Sequence, residues 1–339
     1  MKLLVTGANG LIGRATVDYL LEQGHTVRAS DLAEETEFEG VEYVAGDIRD
    51  YQRVREQVKG CDAVVHLAAL PSPAQATAQV TFAINVLGTY NIYEAAAQEG
   101  IKRVVQASSI NAIGMTWHLD DFSPEHLPID ETHERKTTDP YSLSKHLGED
   151  IGYYYWHRDQ ISGTGLRMPA GFPAEHYQSE TYKDSRDNIA SFLDSFLQLP
   201  QPEQDRLMSL TREKVLRFRR ERPLEFATKK EMPSAELGEI PAILWESYLW
   251  HRFMLWALLD VRDAAQAFAK SVSADYEGFH PLFVNDTGNF AEYDAATLAR
   301  LFFPGVPTRP EALKDNATLI SIEKARTLIG FEPQFSVRN

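Results

Sequence analysis

Lys2-Leu-Leu-Val-Thr-Gly-Ala-Asn-Gly-Leu-Ile-Gly13 is the stretch on which the fold turns. Leu3, Leu4 and Val5 run without polar alternation, as in a strand buried on both faces. Thr6 to Gly13 then reads Thr-Gly-x-x-Gly-x-x-Gly, and an amphipathic helix is predicted from Leu11 through Glu22. Strand, glycine turn and helix in that order make the first half of a dinucleotide-binding unit. Gly7 permits the tight turn, Gly10 leaves room for a pyrophosphate to approach the backbone, and Gly13 lets the helix pack closely on the strand. The helix N-terminus offers free N–H groups and a positive dipole end to the phosphates. Asn9, Leu11 and Ile12 share the turn and complete its candidate cofactor surface.

Outward from there, strand and helix signals alternate. His25 to Ser30 reads as a second strand ending at Asp31. A carboxylate there can accept from both adenosine ribose hydroxyls and repels a 2′-phosphate, so NAD is favoured over NADP. Glu34, Glu35 and Glu37 add to that repulsion. Val41 to Ala45 is the third predicted strand, followed by Asp47, which can accept from the adenine amino group, and Ile48, which can lie against the ring. Ala63 to Leu67 is the fourth; Leu67, Ala68 and Ala69 make a strand end small enough for a cofactor to lie across. Leu70-Pro-Ser-Pro73 then forms a rigid loop that places Ser72 toward a substrate. A helix is predicted from Gln79 to Gln98, carrying Asn85 as a candidate cofactor contact, and Arg103 to Ala107 is the fifth strand, with Ser108 and Ser109 at its end. This alternation predicts an α/β fold with a doubly wound parallel sheet, whose ligands bind outside the carboxyl ends of the strands.

Ile110 to Thr138 is a long irregular connection, of a length that in compact domains is usually functional or mobile. Its histidines, His118, His126 and His133, fit no metal-binding helix face and read as loop residues, so no metal is expected. Asp139 and Pro140 suit the N-cap and first position of a helix. Tyr141 and Lys145, four apart, then share one helix face. A neighbouring ammonium favours phenolate and lowers a phenol pKa that starts near ~10.

The 339-residue chain carries a formal net charge of −15, which argues against a nucleic-acid partner. Its one cysteine, Cys61, cannot form an internal disulfide, and a cytoplasmic protein is the simplest reading. The chain opens directly on a strand, so no signal peptide is expected, and no apolar run reaches transmembrane length.

Together these motifs appear in the order and regions of the extended short-chain dehydrogenase/reductase superfamily, and the chain resembles its NAD-dependent epimerase/dehydratase family. The resemblance is dense over residues 1–173 and returns at Leu259-Asp-Val-Arg-Asp-Ala-Ala265. It implies a Rossmann fold and NAD as cofactor. By it Tyr141 is the catalytic base or acid, Lys145 lowers its pKa and holds the nicotinamide ribose, and Ser109, five residues before Gly114, hydrogen-bonds the reacting oxygen. Ala107 to Gly114 is similar to the same stretch of the uronate dehydrogenases. Ile110 and Asn111 stand at those enzymes' Asn-His pair for sugar contacts, and Ala170 at a substrate-binding Ser. Sugar-nucleotide epimerases place an Asn at that last position, followed by Tyr-Gly-Pro; dehydratases place an Asp-Glu pair after a catalytic Thr. Neither pattern is present. The superfamily often dimerises through the helices that here begin near Gln79 and Tyr141, so a homodimer is expected.

The organisation expected is a Rossmann domain over residues 1–173 plus about 255–286, and a smaller, mostly helical substrate-side domain over 174–254 plus about 287–339. In the second segment Arg217, Arg219, Arg220 and Arg222 form a basic cluster, readable as a solvated helix face or as a mobile cover that attracts an anionic substrate. Trp245, Tyr248, Trp250, Phe253 and Trp256 read as core or as an aromatic wall to the cleft. The function expected is an NAD-dependent dehydrogenase acting on a hydroxyl or carbonyl of a small sugar or sugar-acid-like molecule. The alternative is an epimerase using transient hydride transfer. An NAD-sensing regulator would need the glycine turn but not Tyr141.

Overall fold

The computed structural model describes residues 1–232 and 236–335; parts of the two predicted substrate-side segments, at 233–235 and 336–339, lie outside the described residues. The first half of the chain runs β1 (Lys2–Thr6), α1 (Leu11–Glu22), β2 (Thr26–Ser30), β3 (Glu42–Tyr43), α2 (Tyr51–Val58), β4 (Ala63–His66), α3 (Ala78–Phe82), α4 (Gly88–Gln98), β5 (Arg103–Ser109), α5 (Pro140–Asp159) and β6 (Ser162–Met168). After β7 (Ala170–Phe172) come α6 (Ala174–Gln178), α7 (Glu180–Leu197), α8 (Gln201–Arg220) and α9 (Ala242–Glu246). The rest is β8 (Leu258–Asp260), α10 (Val261–Ser273), β9 (Phe279–Phe283), α11 (Ala295–Phe302) and α12 (Glu323–Ile329).

Seven strands form one parallel sheet in the order β3-β2-β1-β4-β5-β6-β9, and β7 pairs with β8 in a separate parallel pair. The uninterrupted apolar run of β1 is explained by this placement. Leu3 and Val5 pack on one face with residues of α1 and α10, while Leu4 packs on the other with residues of α2 and α4. The strand order reverses between β1 and β4, which opens a crevice at their carboxyl ends.

A second core lies beyond those ends. Ile110, Ile113, Met115, Phe122, Leu127 and Ile129 from the long connection join it, with side chains of α7, α8, α9, α11 and the segment after α9. The connection is therefore packed along much of its length; Leu127 and Ile129 make isolated parallel bridges with Thr308 and Ile320. The third predicted strand shrinks to Glu42–Tyr43. The helix expected from Gln79 to Gln98 contains one wider turn, Ala83–Leu87, between α3 and α4. That turn carries Asn85, whose side chain reaches across to the loop after β4.

Candidate active site

The glycine turn connects β1 to α1 under tight steric limits. Gly7 has φ +69°, and a Cβ there would sit 2.6 Å from the Ala68 amide nitrogen. A Cβ on Gly13 would lie 2.1 Å from the Gly7 carbonyl oxygen, so the bare Gly13 lets α1 close down on the turn. Gly10 is the N-cap of α1, and no side chain caps that end, so the first-turn amides face outward to a ligand.

Two adjoining cavities of about 460 and 450 Å³ run across the strand ends. Gly7, Gly10, Leu67 and Ala69 line both, which makes them one groove. The first is also lined by Asn9, Asp31, Asp47, Ile48 and Ala68; the second by Leu11, Ile12, Gly13, Ser109, Ile110, Asn111, Tyr141, Lys145 and Ala170. Asp31 accepts the Asn9 amide at 2.9 Å and the Leu32 amide at 2.7 Å, one on each carboxylate oxygen. Asp47 is held by Arg49, whose Nε lies 2.9 Å from Oδ2 and whose amide donates to Oδ1. The Arg49 side chain holds the Asp47 carboxyl below its usual range, so it stands ionised where it lines the groove.

Ser109, Tyr141 and Lys145 converge in the second cavity, all nine-tenths or more buried. Asp139 caps α5 by accepting the Ser142 amide at 2.9 Å, and Pro140 opens the helix. This fixes the turn that presents Tyr141. Burial pushes the Tyr141 phenol up to about 12; a hydrogen bond from Ser109 pulls it down and the Asp139 charge raises it. Burial brings Lys145 down to about 8, with Glu149 opposing. Lys145 Nζ lies 5.9 Å from the Tyr141 ring centre and donates to the Ala107 carbonyl at 2.8 Å. The phenol therefore stands above its usual value, with burial the largest cause.

Behind the pair lies a buried ion pair that the sequence reading missed. Arg167 grips Glu149 through Nε at 2.9 Å and Nη2 at 2.8 Å, and Ser108 Oγ donates to the same carboxylate at 2.6 Å. It ties β5, β6 and α5 together next to Ser109.

Three sequence expectations are corrected. Asn85 does not line the groove: its amide brackets the Leu70 backbone at 2.8 and 3.0 Å and donates to Ser144 Oγ, so it braces the loop after β4 from behind. Ser72 accepts the Ala74 amide, and its neighbour Pro71 lines the cavity instead. The arginine cluster does not face the cleft. Arg219 is buried, donating to the Thr116 and His118 carbonyls at 2.9 Å each, while Arg220 pairs with Asp120 and Arg222 with Glu225. Arg217 and Arg220 lie on an outer surface of α8.

Trp245, Tyr248, Phe253 and Trp256 are core residues. Trp250 stands edge-on to Trp117 with ring centres 5.8 Å apart, and Trp117 lines the cavity. Thr116, Trp117, Pro169 and Met254 are cavity residues the sequence reading did not single out. Only the aromatic stretch hinted at Met254; Trp117 sits in an irregular segment with no periodic signal. In the same connection His126, Asp130 and His133 bring one ligand atom each within 4.8 Å of the others. Arg309 already holds Asp130 at 3.0 Å, and His133 Nε2 accepts the Glu125 amide. Cys61 is buried and its thiol is raised by burial, which does not suit a nucleophile. Among the described residues no helix is long and apolar enough to cross a membrane.

The sequence model of the NAD dependent epimerase/dehydratase family matches residues 3–198. A uronate dehydrogenase from Pseudomonas syringae pv. tomato is 33% identical over 174 residues, 51% of this chain and 60% of that protein, so the chain spans less than two thirds of that relative. An L-arabinose 1-dehydrogenase (NAD(P)(+)) from Haloferax volcanii is 34% identical over 197 residues, 57% of this chain and 75% of that protein. A solved short-chain dehydrogenase/reductase superfamily protein from Agrobacterium tumefaciens, with bound NAD, superposes with a TM-score of 0.61 at 23% identity. That match covers 100% of this chain and 94% of the other, and it shows a shared fold.

Proposed function

The chain belongs to the NAD-dependent epimerase/dehydratase family, and from that premise we propose that it is an NAD-dependent dehydrogenase that oxidises a hydroxyl of a sugar or sugar-like small molecule. The observation that carries this reading is the convergence of Ser109, Tyr141 and Lys145 on a cavity that shares its floor with the glycine turn. The cradle fits the cofactor. The Cβ positions of Gly7 and Gly13 are blocked by backbone, and the uncapped α1 terminus suits a pyrophosphate. Asp31 keeps lone pairs for the adenosine ribose beyond the two amides it accepts.

Bound NAD would supply the hydride acceptor. Ser109 holds the substrate oxygen, and Tyr141 takes the hydroxyl proton as general base. Lys145 stabilises the phenolate and holds the nicotinamide ribose. Because burial raises the phenol, oxidation should quicken as pH rises from about 7 to 10. The epimerase alternative has less behind it, since Ala170 offers no side-chain hydrogen bond at that wall of the cleft.

A homodimer is part of this reading. Phe82, Leu87, Tyr90, Leu143 and Tyr154 are exposed apolar side chains on α3–α5, a face that a second copy could cover. The lone buried Cys61 fits a reducing, cytoplasmic setting.

The test is NADH formation across aldoses, sugar acids and nucleotide sugars. Tyr141→Phe should lower kcat about 10²–10⁴-fold while NAD affinity stays level. A variant with wild-type turnover would refute the mechanism. Sedimentation of the wild type and of Phe82→Asp tests the dimer.

A further inference from the structure

We propose that the substrate of this site is uncharged, a neutral aldopyranose and not a uronate. The inference rests on the dehydrogenase reading above and narrows it. Pro71, Ile110, Trp117, Pro169 and Met254 give the cavity around Tyr141 a largely apolar wall. Among the described residues that line it, Lys145 is the one cation, and its ammonium is buried and donates to the Ala107 carbonyl.

The arginines that could approach are committed elsewhere. Arg167 is locked on Glu149, and Arg252 on Asp121 at 2.9 Å. Arg219 is buried, turns its terminal nitrogens to backbone carbonyls and lies over the Phe253 ring, 3.5 Å from its centre. A substrate carboxylate would enter this cleft without a counter-ion and lose its hydration, a costly transfer. It would also add negative charge beside Tyr141, a phenol that burial and Asp139 already hold above its usual value.

What the cavity does offer suits a neutral ring. Trp117 is a flat apolar surface backed edge-to-face by Trp250, and Arg219 pins the carbonyls on either side of it. A rigid indole can take the C–H face of a pyranose. Asn111 donates one amide hydrogen to Ser109 Oγ and accepts the Thr116 amide, leaving its other amide hydrogen for a sugar hydroxyl.

The experiment compares D-galacturonate, D-galactose and L-arabinose, which share a ring configuration and carry carboxylate, hydroxymethyl or hydrogen at C5. D-glucuronate and D-glucose form a second matched pair. Wild-type kcat/KM should be at least about 10²-fold higher for the best neutral sugar than for its uronate. Met254→Arg should raise the uronate-to-neutral ratio about tenfold or more, with NAD affinity unchanged as the check on folding. Equal or better use of a uronate by the wild type overturns the inference, as does an arginine variant that folds and leaves the ratio unchanged. Failure of the broader reading looks different: none of the five sugars reduces NAD, while an aryl alcohol such as cinnamyl alcohol does.

Discussion

Replacing Asp139 by serine should weaken the dependence of stability on pH. Asp139 is 5% exposed and caps α5 with one carboxylate oxygen, while the other, Oδ2, is buried without a hydrogen-bond partner. Burial outweighs the hydrogen bonds from Ser142 and raises the carboxyl from 3.8 to about 6. In the unfolded chain the group ionises near 3.8; in the folded protein it keeps its proton until about pH 6. Across that window the folded state binds more protons, so stability is highest below it and falls as pH rises through it. Two pKa units correspond to about 3 kcal/mol. Serine preserves a capping acceptor and cannot ionise, at a packing loss of about 1 kcal/mol. Asp139→Ser should therefore be about 1 kcal/mol less stable than wild type at pH 4 and about 2 kcal/mol more stable at pH 7.5, as read by urea unfolding. Since the Asp139 charge also raises Tyr141, the variant's pH–rate profile should shift toward lower pH. A stability difference that stays constant from pH 4 to 7.5 would refute the argument, whatever its size.

Gly13→Ala should weaken NAD binding about 5- to 150-fold in calorimetry, because its Cβ meets two turn carbonyls and the backbone must shift at about 1–3 kcal/mol; unchanged affinity would show that the turn is not the cofactor seat. Arg219→Met should destabilise the protein by about 3–5 kcal/mol, since it strips buried carbonyls of their donor. It should also raise the substrate KM through the loosened Trp117 wall while NAD affinity holds. A normal melting temperature would sink that account.

Features that depend on neighbours along the chain were legible before any fold was known. The glycine spacing specified a turn because Gly7 needs a positive φ and Gly13 cannot hold a Cβ, limits set within a dozen residues. Asp139 and Pro140 marked the start of α5 because capping is a property of adjacent residues, and Tyr141 and Lys145 fell on one face because helical periodicity places them there. The unbroken apolar run of β1 announced a strand covered on both sides. Which side chains meet across long separations was set by packing. Asn85 faces the back of the loop after β4 from the widened turn of its helix, and Arg219 is buried because α8 packs it against the carbonyls of residues about a hundred positions earlier. Trp117 and Met254 share a cavity although they are far apart along the chain, and the Glu149–Arg167 pair forms only once α5 lies on β6. No local spacing encodes such meetings. They follow from how the apolar faces of distant elements are buried together, and that packing is what removed the arginines from the cleft and left it nearly without cations.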